Sequence, residues 1–169
     1  GLSRFSEIFR NRFRDVGITE GHLVSYAAGL AAGGLRPFVA VYSTFLQRAI
    51  DQVMHDVCIR SLPVVICVDR AGVVGSDGVT HQGLYDYAML KSLPNLVIAQ
   101  PKDEEDFKVL LKEALGRNGP TVIRYPRGAV PCKVDLPLPP SQISRCAIWA
   151  TGDSLEKAKK VASAVGGCE

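Results

Sequence analysis

Between Asp69 and Gly83 the chain gathers an arginine, two aspartates, a histidine, a glutamine and four glycines. Arg70 can grip an anion through a planar fork of donors. His81 can move a proton near neutral pH, and Asp77 can orient donors beside it. The glycines let the backbone approach a ligand closely. The segment follows a strongly apolar run, Leu62 to Val68. A loop hung from the end of a buried strand is where an open α/β sheet usually binds its ligand.

The elements that must position this loop alternate strand and helix, which predicts a parallel sheet covered on both faces. Arg12 to Ile18 reads as a first strand. Thr19 then caps a helix whose apolar face carries Leu23, Ala27, Leu30 and Ala31, stopped by Gly33 and Gly34. Arg36 to Tyr42 gives a short strand, and Ser43 or Thr44 caps a helix to about Arg60. Leu62 to Val68 is the clearest buried strand. A short helix near Tyr85 to Lys91 leads to a strand at Leu96 to Gln100. Asp103-Glu-Glu-Asp opens the next helix with acids where the dipole favours them. Thr121 to Tyr125 supplies another strand. His55 sits among helix-face apolar residues and reads as structural, while His22 is open between helix packing and a pocket.

Beyond Gly128 the pattern changes. Pro131, Pro137, Pro139 and Pro140 make residues 129–145 a linker. Cys146 to Gly152 then reads as a strand and Ser154 to Val165 as its helix. One such unit cannot bury its own apolar face, so 146–169 reads as the opening of a further domain, cut short. With no initiator methionine, the chain is expected to be an excised piece or one subunit of a split enzyme.

The composition, 169 residues with 47% hydrophobic and 22% charged, is that of an ordinary globular sequence. Its longest apolar runs are strand-length, which argues against a membrane span. The start, Gly-Leu-Ser-Arg-Phe, lacks the basic-then-apolar design of a secretory signal. A formal charge of +3, evenly spread, gives no argument for nucleic acid and suits small anionic substrates. Five scattered cysteines without a Cys-x-x-Cys pair suggest reduced thiols, in a cytosol or an organelle stroma, rather than disulfides or zinc.

Five stretches carry a resemblance: Asp15 to His22 (Asp-Val-Gly-Ile-Thr-Glu-Gly-His), Tyr42 to Gln52, Asp69 to Gly72 (Asp-Arg-Ala-Gly), Gly75 to Gly83, and Arg124 to Gly128 (Arg-Tyr-Pro-Arg-Gly). In order and spacing, over about residues 5 to 128, they resemble the 1-deoxy-D-xylulose-5-phosphate synthase family of transketolase-like thiamine-diphosphate enzymes. The resemblance implies a transketolase-type pyrimidine-binding domain at 1–128, followed by the start of the family's third domain. It implies condensation of pyruvate with glyceraldehyde 3-phosphate and loss of carbon dioxide, for isoprenoid and thiamine biosynthesis. It also implies a homo-oligomer, a homodimer in the simplest case. Thiamine diphosphate and magnesium would lie between this domain and a diphosphate-binding domain.

On the matching positions, the resemblance implies that Glu20 hydrogen-bonds the aminopyrimidine N1′. That requires a carboxyl group able to share a proton in a dry site. A helix N-terminus favours the ionised form, so the bond to N1′ must outweigh the dipole. The plainer alternative is a first-turn acid that only stabilises its helix. Phe45 matches an aromatic against the pyrimidine ring; helical spacing alone puts Arg48, a turn later, where it could help close the same pocket. Tyr42, Arg70 and Arg127 match the groups that clamp the acceptor phosphate. Asp77 and His81 match polar groups that contact substrates and reaction intermediates.

Three positions depart from the family pattern: Gly21 for a usual glutamine, Val79 for a frequent proline, and Ile50 for a frequent tyrosine. None removes a group the chemistry needs. A Gly-Asp-Gly segment with a following asparagine, the family's magnesium and diphosphate cradle, is not found, so no metal ligand is assigned and the chain alone is expected to be inactive. Two rival readings stand beside the synthase. One is a transketolase or a 2-oxo-acid dehydrogenase β subunit, and the other a non-catalytic module of the same fold.

Overall fold

Parallel register, more than any single loop, brings the chemistry to one edge. The computed structural model describes residues 2–128, 134 and 147–165. Its strands are β1 (Phe38–Tyr42), β2 (Val65–Asp69), β3 (Val97–Ala99) and β4 (Thr121–Arg124). They form one sheet in the order β1-β2-β4-β3, parallel throughout. Tyr42 stands opposite Asp69, and Val68 opposite Arg124, so three strand ends share one rim.

The helices are α1 (Ser3–Ile8), α2 (Glu20–Ala32), α3 (Ser43–Leu46), α4 (Ile50–Gln52), α5 (Asp86–Leu90), α6 (Glu104–Gly116) and α7 (Ser154–Val165). On one face Val39, Val41, Ile66, Val68 and Val122 pack against α2 and the helical run from α3 to Cys58. On the other, Val65, Cys67 and Ile123 pack against α6 through Ala114, Phe107 and Leu111. Strand β2 is buried from Val65 to Val68, which is why its sequence is apolar without alternation.

The expected helix at 43–60 is one continuous path but not one regular helix. A 3-10 turn at Gln47–Ala49 and a π-helical stretch at Val53–Cys58 interrupt it. The wider turn brings Val53, Val57 and Cys58 inward together, all fully buried. Helix α2 ends at Gly33 and Gly34 as expected, with Gly34 at φ +90°. Its buried face is centred on Val24, Ala27, Ala28 and Ala31, leaving Leu23 half-buried against the core. This helix is apolar on most sides, so its sequence alone allowed two phases.

Three expectations are corrected. Arg12 to Ile18 is not a strand: Arg10–Arg12 is a 3-10 turn and the rest is irregular. Local bonds compete with any ladder there, because Asp15 Oδ1 accepts from the Gly17 amide at 2.9 Å and Gly17 holds φ +70°. Thr19 sits at the cap of α2, but its hydroxyl donates to the Val16 carbonyl at 2.8 Å and caps nothing. The strand expected from Cys146 to Gly152 is irregular at 147–150 and pairs with no strand among the described residues. Cys146 and, apart from Val134, the Pro-rich linker lie outside the described residues.

Where the later chain is described, it is tied to the sheet's rim. The Val134 amide donates to Asp103 Oδ2 at 2.8 Å, and Gln100 Nε2 donates to Asp153 Oδ1 at 3.2 Å. Asp103 caps α6 by accepting from the Asp106 amide at 2.8 Å. These two amides, with Lys102 beside them, hold the Asp103 carboxyl down at about 2. No described helix is long and apolar enough to cross a membrane.

Candidate active site

Strand β1 runs directly into α3, so Tyr42 and Phe45 leave the sheet on the same turn. Their rings stack at 5.3 Å, and Phe45 meets the His81 ring edge-on at 5.5 Å. Nδ1 of His81 lies 2.8 Å from Thr80 Oγ1.

Strand β2 ends in an abrupt turn. Arg70 takes φ +60°, an uncommon conformation for a side-chain-bearing residue, and its amide donates to Asp69 Oδ1 at 2.7 Å. The turn folds the Arg70 guanidinium over the Tyr42 ring at 4.1 Å and lets it donate to the Tyr42 hydroxyl at 3.0 Å. The same guanidinium pairs with Asp77 Oδ2, and Arg127 reaches Asp77 Oδ1 at 2.9 Å and also Ser76 Oγ. Partial burial pulls Arg70 down, but Asp77, Tyr42 and Asp69 outweigh it and keep it above the ordinary arginine value.

The loop is closed by its own backbone. Gly72 and Gly83 exchange two hydrogen bonds of 2.8 Å in an isolated antiparallel bridge. Gln82 staples the interior, its Oε1 accepting from the Val74 amide and its Nε2 donating to the Gly78 carbonyl, both at 2.7 Å.

Glu20 opens α2 and is 8% exposed. Among the described residues its carboxyl group makes no hydrogen bond, and Arg48 Nη1 stands 3.7 Å from Oε2. Arg48 itself is mostly exposed. Contacts therefore join Tyr42, Phe45, Arg70, Asp77, His81 and Arg127 into one cluster, and Glu20 with Arg48 into a second. Phe45 and Arg48 share one helical path, which links the two.

His22 is in neither cluster and stacks on Tyr26 at 5.9 Å. His55 differs from expectation: it is exposed and pairs with Asp51 at 2.9 Å, i to i+4 on the helix's outer side. Cys58 and Cys67 are buried free thiols pushed up to about 11 by desolvation, which makes them inert. Among the described residues no group of three or more histidine, cysteine or acidic side chains could hold a metal ion.

Residues 1–133 match the family described as transketolase, pyrimidine binding domain. The chain belongs to that family. It is 53% identical over 156 residues to the 1-deoxy-D-xylulose-5-phosphate synthase of Desulforudis audaxviator, a match covering 92% of this chain and 25% of that protein. With 1-deoxy-D-xylulose-5-phosphate synthase 2 of Geobacter sulfurreducens it is 48% identical over 178 residues, covering 99% of this chain and 28% of that one. The chain thus spans about a quarter of the length of the curated relatives it matches. Among solved structures, a split-gene transketolase in an inactive β4 tetramer is 29% identical, with a TM-score of 0.77, covering 98% of this chain and 58% of that one.

In this pyrimidine-binding domain, sequence reasoning missed the buried polar group beneath the loop. Ser43 Oγ donates to Asp86 Oδ1 at 2.6 Å, and Arg124 donates to Asp86 Oδ2 from Nε at 3.2 Å and Nη2 at 3.1 Å. All three residues are at most 5% exposed. An aspartate and an arginine separated by 38 positions leave no local spacing signal; only their placement beside apolar elements hinted at burial.

Proposed function

We propose that this chain provides the pyrimidine-binding half of a 1-deoxy-D-xylulose-5-phosphate synthase site. The complete site would condense pyruvate with glyceraldehyde 3-phosphate and release carbon dioxide, feeding isoprenoid and thiamine precursors. The observation that carries this reading is the convergence of Arg70 and Arg127 on one point, beside the Phe45–His81 pair. Two guanidinium forks on one point, one of them bonded to the Tyr42 hydroxyl, suit an acceptor that carries a phosphate.

The residues fit thiamine diphosphate. Glu20 is a nearly buried carboxyl group without a hydrogen-bond partner among the described residues, which suits a ring nitrogen as its partner. When bound, thiamine diphosphate supplies a carbon nucleophile and a sink for the electron pair released with carbon dioxide. Glu20 would hold a proton at N1′ of the aminopyrimidine, and Phe45 would lie against the face of that ring. Arg48, exposed at the rim, would lend charge to the pocket wall. His81 would donate to oxygen as negative charge develops there, with Asp77 fixing the neighbouring guanidiniums. Tyr42, Arg70 and Arg127 would seat the acceptor phosphate. Magnesium and the diphosphate would be held by a partner domain, within a homodimer or larger homo-oligomer, in a bacterial cytoplasm or a plastid stroma.

The test supplies the chain with a diphosphate-binding domain, thiamine diphosphate and magnesium, and offers a substrate panel. Carbon dioxide and a five-carbon ketose phosphate from pyruvate plus glyceraldehyde 3-phosphate are expected. Ketol transfer from xylulose 5-phosphate without use of pyruvate would overturn the reading.

A further inference from the structure

Beneath the loop that carries Asp77 and His81 lies an ion pair that the chemistry above does not touch. Asp86 and Arg124 are 1% and 5% exposed. Burying two charges costs more desolvation than their attraction usually returns, and a well-packed apolar pair often stabilises a fold as well or better. Stability alone is therefore a weak reason for this pair.

Its hydrogen bonds give a better one. Asp86 divides its oxygens: Oδ1 accepts from Ser43 at 2.6 Å, and Oδ2 accepts from Arg124. Arg124 Nη2 donates onward to the Gly83 carbonyl at 3.2 Å, while Nη1 donates to Gln100 Oε1 at 2.5 Å. The Gly83 carbonyl also accepts from the Gly72 amide at 2.8 Å, so its two lone pairs are fixed by the loop's own bridge and by Arg124. Ser43 lies between Tyr42 and Phe45, and Gly83 lies two residues after His81. One carboxylate thereby fixes both sides of the Phe45–His81 contact. Apolar side chains could fill the same volume but could not aim a carbonyl.

We propose that Asp86 and Arg124 are positioning residues that set the Asp77–His81 loop against the start of α3. The inference rests on the function proposed above for its catalytic consequence, but its structural consequence stands alone. Two variants test it. Asp86→Leu with Arg124→Met replaces both charges by side chains of comparable size. Arg124→Lys keeps the charge but cannot reach Asp86, Gly83 and Gln100 together.

In the 169-residue chain, both variants are expected to fold cooperatively. The Gly72 and Gly83 amides should exchange hydrogen about tenfold faster or more, with β2 and β4 unaffected. In the assembled enzyme, kcat/KM for the phosphorylated acceptor should fall about 100-fold, as for a small misplacement of reacting groups, with thiamine diphosphate affinity nearly unchanged. Unchanged exchange at Gly72 and Gly83 in either folded variant overturns the proposal. So does a double variant with full acceptor kcat/KM. If the wild-type assembly makes no product from pyruvate, the functional reading fails, and the exchange measurement still decides the positioning role.

Discussion

Replacing Gly83 by alanine should be far costlier than an extra methyl group on a surface loop. A Cβ there would lie 2.5 Å from the Arg70 carbonyl oxygen, 2.5 Å from Ser43 Oγ and 2.9 Å from the Ala71 Cα. Two of these neighbours are backbone, and Ser43 is held by buried Asp86 at 2.6 Å, so none can retreat freely. The φ of Gly83 is not in the left-handed region, so the cost is one of space. Overpacking of this kind costs about 1–3 kcal/mol, and loss of the Ser43 bond to a charged acceptor about 1.5–3 kcal/mol. The reduced freedom of the unfolded chain returns about 0.4–1 kcal/mol. A net loss of about 1.5–5.6 kcal/mol follows, or roughly 3–22 °C in Tm for a chain of this size. Gly29→Ala is the control, since it lies within α2 with nothing within 4 Å of its would-be Cβ. It should gain up to about 1 kcal/mol of helix propensity. Urea and thermal unfolding of both variants would be compared with the parent chain. A Gly83→Ala protein within about 1 kcal/mol of the parent would refute the close approach of loop, strand end and helix start.

Three further outcomes are expected. Glu20→Gln should abolish turnover in the assembled enzyme with folding intact, since amide and carboxyl are isosteric; undiminished exchange of the coenzyme's C2 proton would remove Glu20 from its role. Arg127→Ala should weaken the phosphorylated acceptor by about 1.5–3 kcal/mol, the worth of a charged hydrogen bond, and spare a non-phosphorylated aldehyde. Equal loss with both aldehydes would count against a phosphate clamp. Asp103, held at about 2 against an ordinary 3.8, should contribute its full stabilisation above about pH 4 and lose it as pH falls toward 2. The stability gap between the parent and Asp103→Ala should narrow only in that window, and a gap that is flat from pH 5 to about 2 would contradict the capping geometry.

Much of the fold was legible because its signals are local. The unbroken apolar run of β2, the paired glycines after α2 and the acidic start of α6 each describe a few adjacent residues, and each element stands where expected. Misreadings arose where local side chains compete with the ladder, as Asp15 and Thr19 do, or where a helix is apolar on several sides. The site was legible only residue by residue. Residue types at Arg70, Asp77 and His81 suggested an anion and a proton donor, and the family resemblance added Tyr42, Phe45 and Arg127, but nothing in the spacing said that Asp77 would sit between Arg70 and Arg127. The pairing of Asp86 with Arg124 left no spacing signal, since it exists only after β4 enters the sheet beside β2.

That insertion of β4 also explains why the site lies where it does. The chain leaves β2 through the glycine-rich loop, builds β3 at the far edge, and only then returns to fill the gap with β4. The helical run after β1 packs on one face and α6, after β3, on the other, so connections diverge around the rim above β2 and β4. Diverging connections leave a crevice at the strand ends, which is where open parallel sheets bind ligands. Tyr42 and Arg124 are placed there by register; Asp77 is placed by an ion pair with Arg70, Arg127 by one with Asp77, and His81 by its edge-on contact with Phe45. Register is stabilised by the whole core, whereas each loop contact rests on a few bonds. Substitutions at Asp86, Gly83 or Gln82 should therefore loosen the second set long before they disturb the first.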